Sequence, residues 1–136
     1  MISEAIESLE AALTGRLSWI NTGTGAHASI RLYDGTRPAS AAAAASGVLL
    51  ADVPLQVPAG SVASGVMTLL PADTAMVLAT GSPTWARVVN RNGVVCFDMD
   101  AGTAGSLPGG ASPECVVSDA TLYAGGTVAI LSAILG

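Results

Sequence analysis

The sequence predicts an all-β fold: a two-sheet antiparallel β-sandwich of jelly-roll type with one short N-terminal α-helix. Three observations predict it. Sixteen Gly and seven Pro interrupt the chain too often for long helices. Turn signals recur at short, regular intervals, as they do in sandwiches and barrels. Helical spacing of apolar residues is confined to the N-terminus, and strand-length apolar runs follow it. The 136 residues make one domain, with a helix and arm over 1–20 and the sandwich over 28–136. That length suffices to bury a core.

The helix is expected over residues 3–17. Ser3 is placed to cap it, and Glu4, Glu7 and Glu10 favour its N-terminal half. Ile2, Ile6, Leu9 and Leu13 form an apolar stripe, widened by Ala5 and Ala12, and Gly15 is the expected stop. So short a helix must dock on something to persist. Residues 21–25 read as a flexible loop. The run 28–33 reads as a strand, with Ile30 and Leu32 on one face and Arg31 and Tyr33 on the other, closed by a turn at Asp34-Gly35. Five alanines from Ala41 to Ala45 have high helix propensity, but no apolar stripe anchors them, so a turn or exposed loop is expected.

Strand signals then become regular. Residues 48–57 read as a strand pair or one bent strand, with Pro54 at an edge or bulge. Residues 61–70 read as a strand and 74–79 as a weaker one. Strands 84–90 and 94–99 flank Asn92-Gly93, the best hairpin signal in the chain. A Gly/Pro-rich loop over 101–113 and a short strand over 114–118 come next. The last strand, 126–135, is apolar on both faces and suits a sandwich edge that meets a partner. About eight strands are expected, without an internal repeat.

The composition is greasy for a domain this small. Half the residues (51%) are apolar, only 11% are charged, and mean hydropathy is +0.59. Yet no stretch is long and apolar enough to span a bilayer. Residues 62–78 are broken by Pro71 and Asp73, and 128–135 fall far short of the ~20 residues a spanning helix needs. Net charge is −5, there is no Lys, and the five Arg are scattered. Neither a nucleic-acid backbone nor an anionic membrane is an expected partner of such a chain. The opening Met1-Ile2-Ser3-Glu4 lacks a basic start, so no signal peptide is expected. So little solubilising charge suggests that other protein covers part of the surface.

No constellation reads as an active site, and no enzyme, cofactor, metal or small-molecule substrate is expected. Cys96 and Cys115 lie in apolar runs and read as buried free thiols, with a disulfide left open. Asp98 and Asp100 share a side of a strand end, but Ca²⁺ needs six to eight oxygens, and a solvated strand end is the plainer reading. His27, the one His, lacks any Gly-x-Ser-x-Gly elbow to serve and reads as a structural hydrogen-bonding residue. Gly23-Thr24-Gly25 lacks the third Gly of a dinucleotide fingerprint. Trp85 and Tyr33 suit either a core or a sugar-stacking platform.

The run Ile30-Arg31-Leu32-Tyr33-Asp34-Gly35-Thr36-Arg37-Pro38-Ala39 resembles a segment common to small structural proteins of tailed bacteriophages. The order continues with an Ala-rich loop and the strand Gly47-Val48-Leu49-Leu50-Ala51. A Trp-led strand follows, Trp85-Ala86-Arg87-Val88-Val89, then Asn92-Gly93 and Ala124-Gly125-Gly126-Thr127-Val128. The resemblance spans 28–135 and is closest to the jelly-roll capsid cement (decoration) proteins, as in a Bordetella phage. It departs from them in the loop 101–113 and in the stretch after the hairpin.

The resemblance implies a virion protein on the capsid exterior, made in the host bacterial cytoplasm. Its implied partners are the major capsid protein and a second copy in a homodimer. It implies no catalytic residues. The contact surfaces expected are the helix stripe (Ile6, Leu9, Leu13), the 39–45 loop with its flank (Pro38, Ala41, Ala43) and the last strand (Ile130, Leu131, Ile134). A carbohydrate-binding sandwich on a head or tail fibre, or a tail or neck subunit, is the alternative.

Overall fold

The computed structural model describes residues 5–135, and of Ile6 the backbone only. It contains α1 (Ile6–Ile20), β1 (Ser29–Tyr33), β2 (Leu49–Ala63), β3 (Val66–Pro71), β4 (Ala75–Met76) and β5 (Trp85–Val89). After these come β6 (Val95–Gly102), a 3₁₀ turn (Pro108–Gly110), β7 (Cys115–Val117), β8 (Thr127–Val128) and β9 (Ile130–Leu135).

The class is all-β with one helix, but the architecture is a closed barrel, which corrects the two-sheet jelly-roll sandwich. Seven strands close in the order β1-β2-β3-β9-β7-β6-β5, and β4 and β8 form a separate ribbon. Alternating apolar strands and evenly spaced turns are common to sandwiches and barrels, so the pattern could not separate them. Three features of the strand pairing do. β1 joins β5 over its whole length, from Ser29 opposite Val89 to Tyr33 opposite Trp85. β2 serves two sides of the barrel: Ser29–Pro54 to Tyr33–Leu49 pair it with β1, and Gly60–Leu69 to Ala63–Val66 pair it with β3. A bulge between Leu55 and Gly60 turns the corner. Finally, β6 and β7 are parallel, and the Gly/Pro-rich loop is the crossover a parallel pair needs.

Closure also changes the reading of β9. It lies between β3 and β7, with Thr68 opposite Ile134 and Cys115 opposite Ala133, so it is an interior strand of the barrel rather than an edge. Residues 61–70 are likewise two strands, split by a tight turn at Ser64-Gly65. Both residues take positive φ, 53° and 74°, as a two-residue hairpin requires. The Asn92-Gly93 hairpin forms as expected, and 39–45 is irregular.

The barrel is filled by Ile30, Leu32, Val53, Leu55, Met67, Leu69, Val88, Met99 and Val117, all essentially inaccessible. The helix closes one mouth. Its buried stripe is Leu9, Leu13, Leu17 and Ile20, and it runs through Gly15 to end at Asn21. The expected stop therefore fails, because the further turn or so that brings Leu17 and Ile20 onto the core outweighs one exposed glycine, ~1 kcal/mol relative to Ala. The expected Ser3 cap lies outside the described residues. Glu10 accepts a hydrogen bond from Gly65 N (3.1 Å) at the β2–β3 turn. At the other end, Asn21 accepts from Ala59 N (2.8 Å), and Thr22 O accepts from Arg91 N (3.0 Å) at the β5–β6 turn. The 21–25 loop is thereby tied down, with Arg91 Nε also donating to Gly25 O (2.7 Å).

Candidate functional site

The ion-paired residues of the barrel gather on one side, as the strand register dictates. Across β2, β1, β5 and β6 the outward row reads Asp52, Arg31, Arg87, Asp98. Arg87 grips Asp98 through two bonds, Nε to Oδ1 at 2.7 Å and Nη2 to Oδ2 at 3.0 Å, and both side chains are buried. That hydrogen bonding, above all, raises the Arg87 pKa further and fixes its charge. Arg31 sits 3.7 Å from Asp52 in a half-exposed pair.

In the next outward row Tyr33 lies opposite Trp85, and the rings stack at 4.5 Å. The Arg87 guanidinium lies 5.3 Å from the Trp85 ring, and Trp85 Nε1 donates to Asp34 O. The loop 34–48 covers this side, with Arg37 3.5 Å from Asp100 and Pro38 and Ala41 half-buried beside β6. Every residue of β5 is buried as a result, on both faces.

This side is a structural layer with an open cleft of about 430 Å³ between the loop and β6, lined by Arg37, Pro38, Ala39, Ala41, Phe97 and Asp98. Trp85 and Tyr33 offer no open ring to a sugar. Asp98 and Asp100 are each engaged by an arginine, and among the described residues no three His, Cys, Asp or Glu gather to hold a metal. His27 Nδ1 lies 2.7 Å from Leu55 O, a structural hydrogen bond. Cys96 and Cys115 are free, and burial pushes their thiols up to about 11 and about 12. Both are held neutral, and a neutral thiol is a poor nucleophile.

The opposite side is different. From Val53 to Ala86 the sequence carries one charge, Asp73, and from Ala120 onward it carries none. These stretches fold together. β3 and then β4 follow one edge of β2: Leu55 pairs Pro71, Ala72 N donates to Pro54 O, and Leu78 N to Leu50 O. β9 and β8 follow β3 and β4 in turn, with Thr68 opposite Ile134 and Met76 opposite Thr127. In β9 a bulge against β7 sets Leu131 outward, and Ile134 is outward beside it.

Leu131 is 66% exposed, Met76 61% and Tyr123 67%, with Leu78 and Ile134 also open. Val77, Leu122 and Val128, alternating with them, are buried. The barrel therefore carries one long uncharged side studded with large apolar groups. Trp19, Val48, Val57 and Val94 are exposed elsewhere on the surface, so this side is distinguished by large apolar groups on strands that carry almost no charge, a combination that suits docking.

The structure sorts the expected contact residues. Leu131 and Ile134 lie on the uncharged side and Ala43 is exposed on the covering loop. Leu13 and Ile130 are core residues, a correction to their place on a contact surface, and Leu9 packs half-buried on the core. Pro38 and Ala41 face the sheet, and the Ile6 side chain lies outside the described residues. Met76, Leu78 and Tyr123 were missed. Their signal was the charge-free length of 74–86 and 120–136, a feature that strand alternation does not register. Comparison with family models, curated proteins and solved structures finds no match. The likeness to phage structural proteins rests on its motifs alone.

Proposed function

We propose that this chain is a non-enzymatic cement, or decoration, subunit of a tailed-phage capsid. It would bind the outside of the shell and tie neighbouring major capsid proteins together. The observation that carries the reading is the uncharged side with Met76, Leu78, Tyr123, Leu131 and Ile134 exposed. The resemblance of the motif order over 28–135 to phage structural proteins is the reason for choosing the major capsid protein as the partner. A packaged genome pushes outward on its shell, and a glue subunit resists by adding buried area across capsomer seams. A standard interface buries about 1,600 Å² and needs no chemistry. Many copies acting together add avidity. A homodimer is part of the same proposal, two-fold pairing being the commonest arrangement.

The test is co-sedimentation of the purified protein with shells lacking it, with the shell melting temperature read in parallel. Saturable binding at a fixed ratio to the major capsid protein, with a raised melting temperature, is expected. Failure to bind, or binding without saturation, contradicts the proposal.

A further inference from the structure

Carboxylates border the uncharged side, and no arginine does. Asp73 lies between β3 and β4 and is exposed. Glu114 adjoins Ile134, whose N–H donates to the Glu114 carbonyl. Asp119 follows Ser118, whose hydroxyl accepts from Ala129 N between β8 and β9. Glu10 stands at the β2–β3 turn. The five arginines are all engaged elsewhere. Arg31, Arg37 and Arg87 pair with Asp52, Asp100 and Asp98. Arg91 bonds Gly25 O, and Arg16 lies over the Phe97 ring at the helix mouth.

We propose that this side takes a protein surface with an apolar centre and a rim of Lys or Arg, and that it does not take a second copy of the chain. A two-fold self-contact places the same patch on itself, so carboxylate rims would meet carboxylate rims. Opposed like charges at an interface are costly, and matched potentials set specificity and speed association. A dimer of this chain would then use another surface. The identity of the partner, the major capsid protein, rests on the cement reading; the charge of the partner's rim does not.

The experiment has two arms. Shell binding is measured at about 50 mM and about 300 mM salt, where screening lengths differ more than twofold. The wild type is compared with the triple variant Asp73→Asn, Glu114→Gln, Asp119→Asn, which keeps the hydrogen-bonding oxygens. The wild type should lose roughly tenfold in affinity with salt. The triple variant should start weaker and change little. In the second arm, sedimentation velocity follows the free proteins. Adding Leu131→Asp should leave the wild-type oligomeric state unchanged, while the triple variant should gain a self-association that Leu131→Asp removes.

If the wild type binds shells and the triple variant matches it at both salts, the rim proposal is overturned and the cement reading stands. If nothing binds shells, the cement reading fails, and the second arm decides. A wild-type dimer dissolved by Leu131→Asp then overturns the rim proposal. A Leu131-dependent association confined to the triple variant supports it.

Discussion

Arg87 and Asp98 form the one buried ion pair among the described residues, and they show how little of such a pair is visible in a sequence. Asp98 read as a solvated strand end because its partner lies on the neighbouring strand under a loop from elsewhere. Removing one partner leaves a buried charge, which costs about 3–5 kcal/mol. Urea unfolding of Arg87→Met and of Asp98→Leu should each show that loss, and the double variant should lose less than either. The thiols allow a pH prediction. Their folded pKa values are raised, so the fold binds protons that the unfolded chain gives up near its ordinary value, about 8.5. The stabilisation from the neutral thiols is complete below that pH and drains as pH climbs toward 11 and 12. Cys115→Ala should flatten the alkaline fall in the unfolding midpoint. A thiol reagent at pH 8 should label Cys115 only after denaturant is added.

At the level of elements, two glycines predict opposite outcomes. Gly15 is helical and exposed, with open space around its missing side chain. Gly15→Ala should stabilise the protein by about 0.5–1 kcal/mol in thermal or urea unfolding. Gly60 sits at the corner where β2 turns from β1 to β3, and a Cβ there would run into the Thr68 carbonyl. Gly60→Ala should cost about 1–3 kcal/mol in the same measurement. Most strands were legible because their signals are local: alternation at Ile30 and Leu32, and the Asn92-Gly93 turn. The Ser64-Gly65 turn was not, since Ser64 is no usual left-handed residue and the apolar run continues through it. Barrel closure was illegible for a different reason. It depends on β1 meeting β5 and β6 meeting β7, and no local pattern encodes which distant strands pair.

For the whole molecule, the side that carries almost no charge is the feature that connects sequence to proposed function. The low charge of the sequence raised the expectation of an interaction protein, and of its expected contact residues Leu131 and Ile134 are exposed. The sequence could not assemble the surface, because β4 and β9 come to the same side only through the pairing of β4 with β8 and β3 with β9. It also nominated Leu13 and Ile130, since an apolar stripe looks the same whether it meets a partner or its own barrel. The most direct test compares shell binding by Met76→Asp/Leu131→Asp with that by Ala43→Asp on the opposite, loop-covered side. If the uncharged side docks, the double variant should lose at least about tenfold in affinity, as central apolar contacts do, while Ala43→Asp binds like the wild type. Equal binding by both variants, or a loss confined to Ala43→Asp, would contradict it.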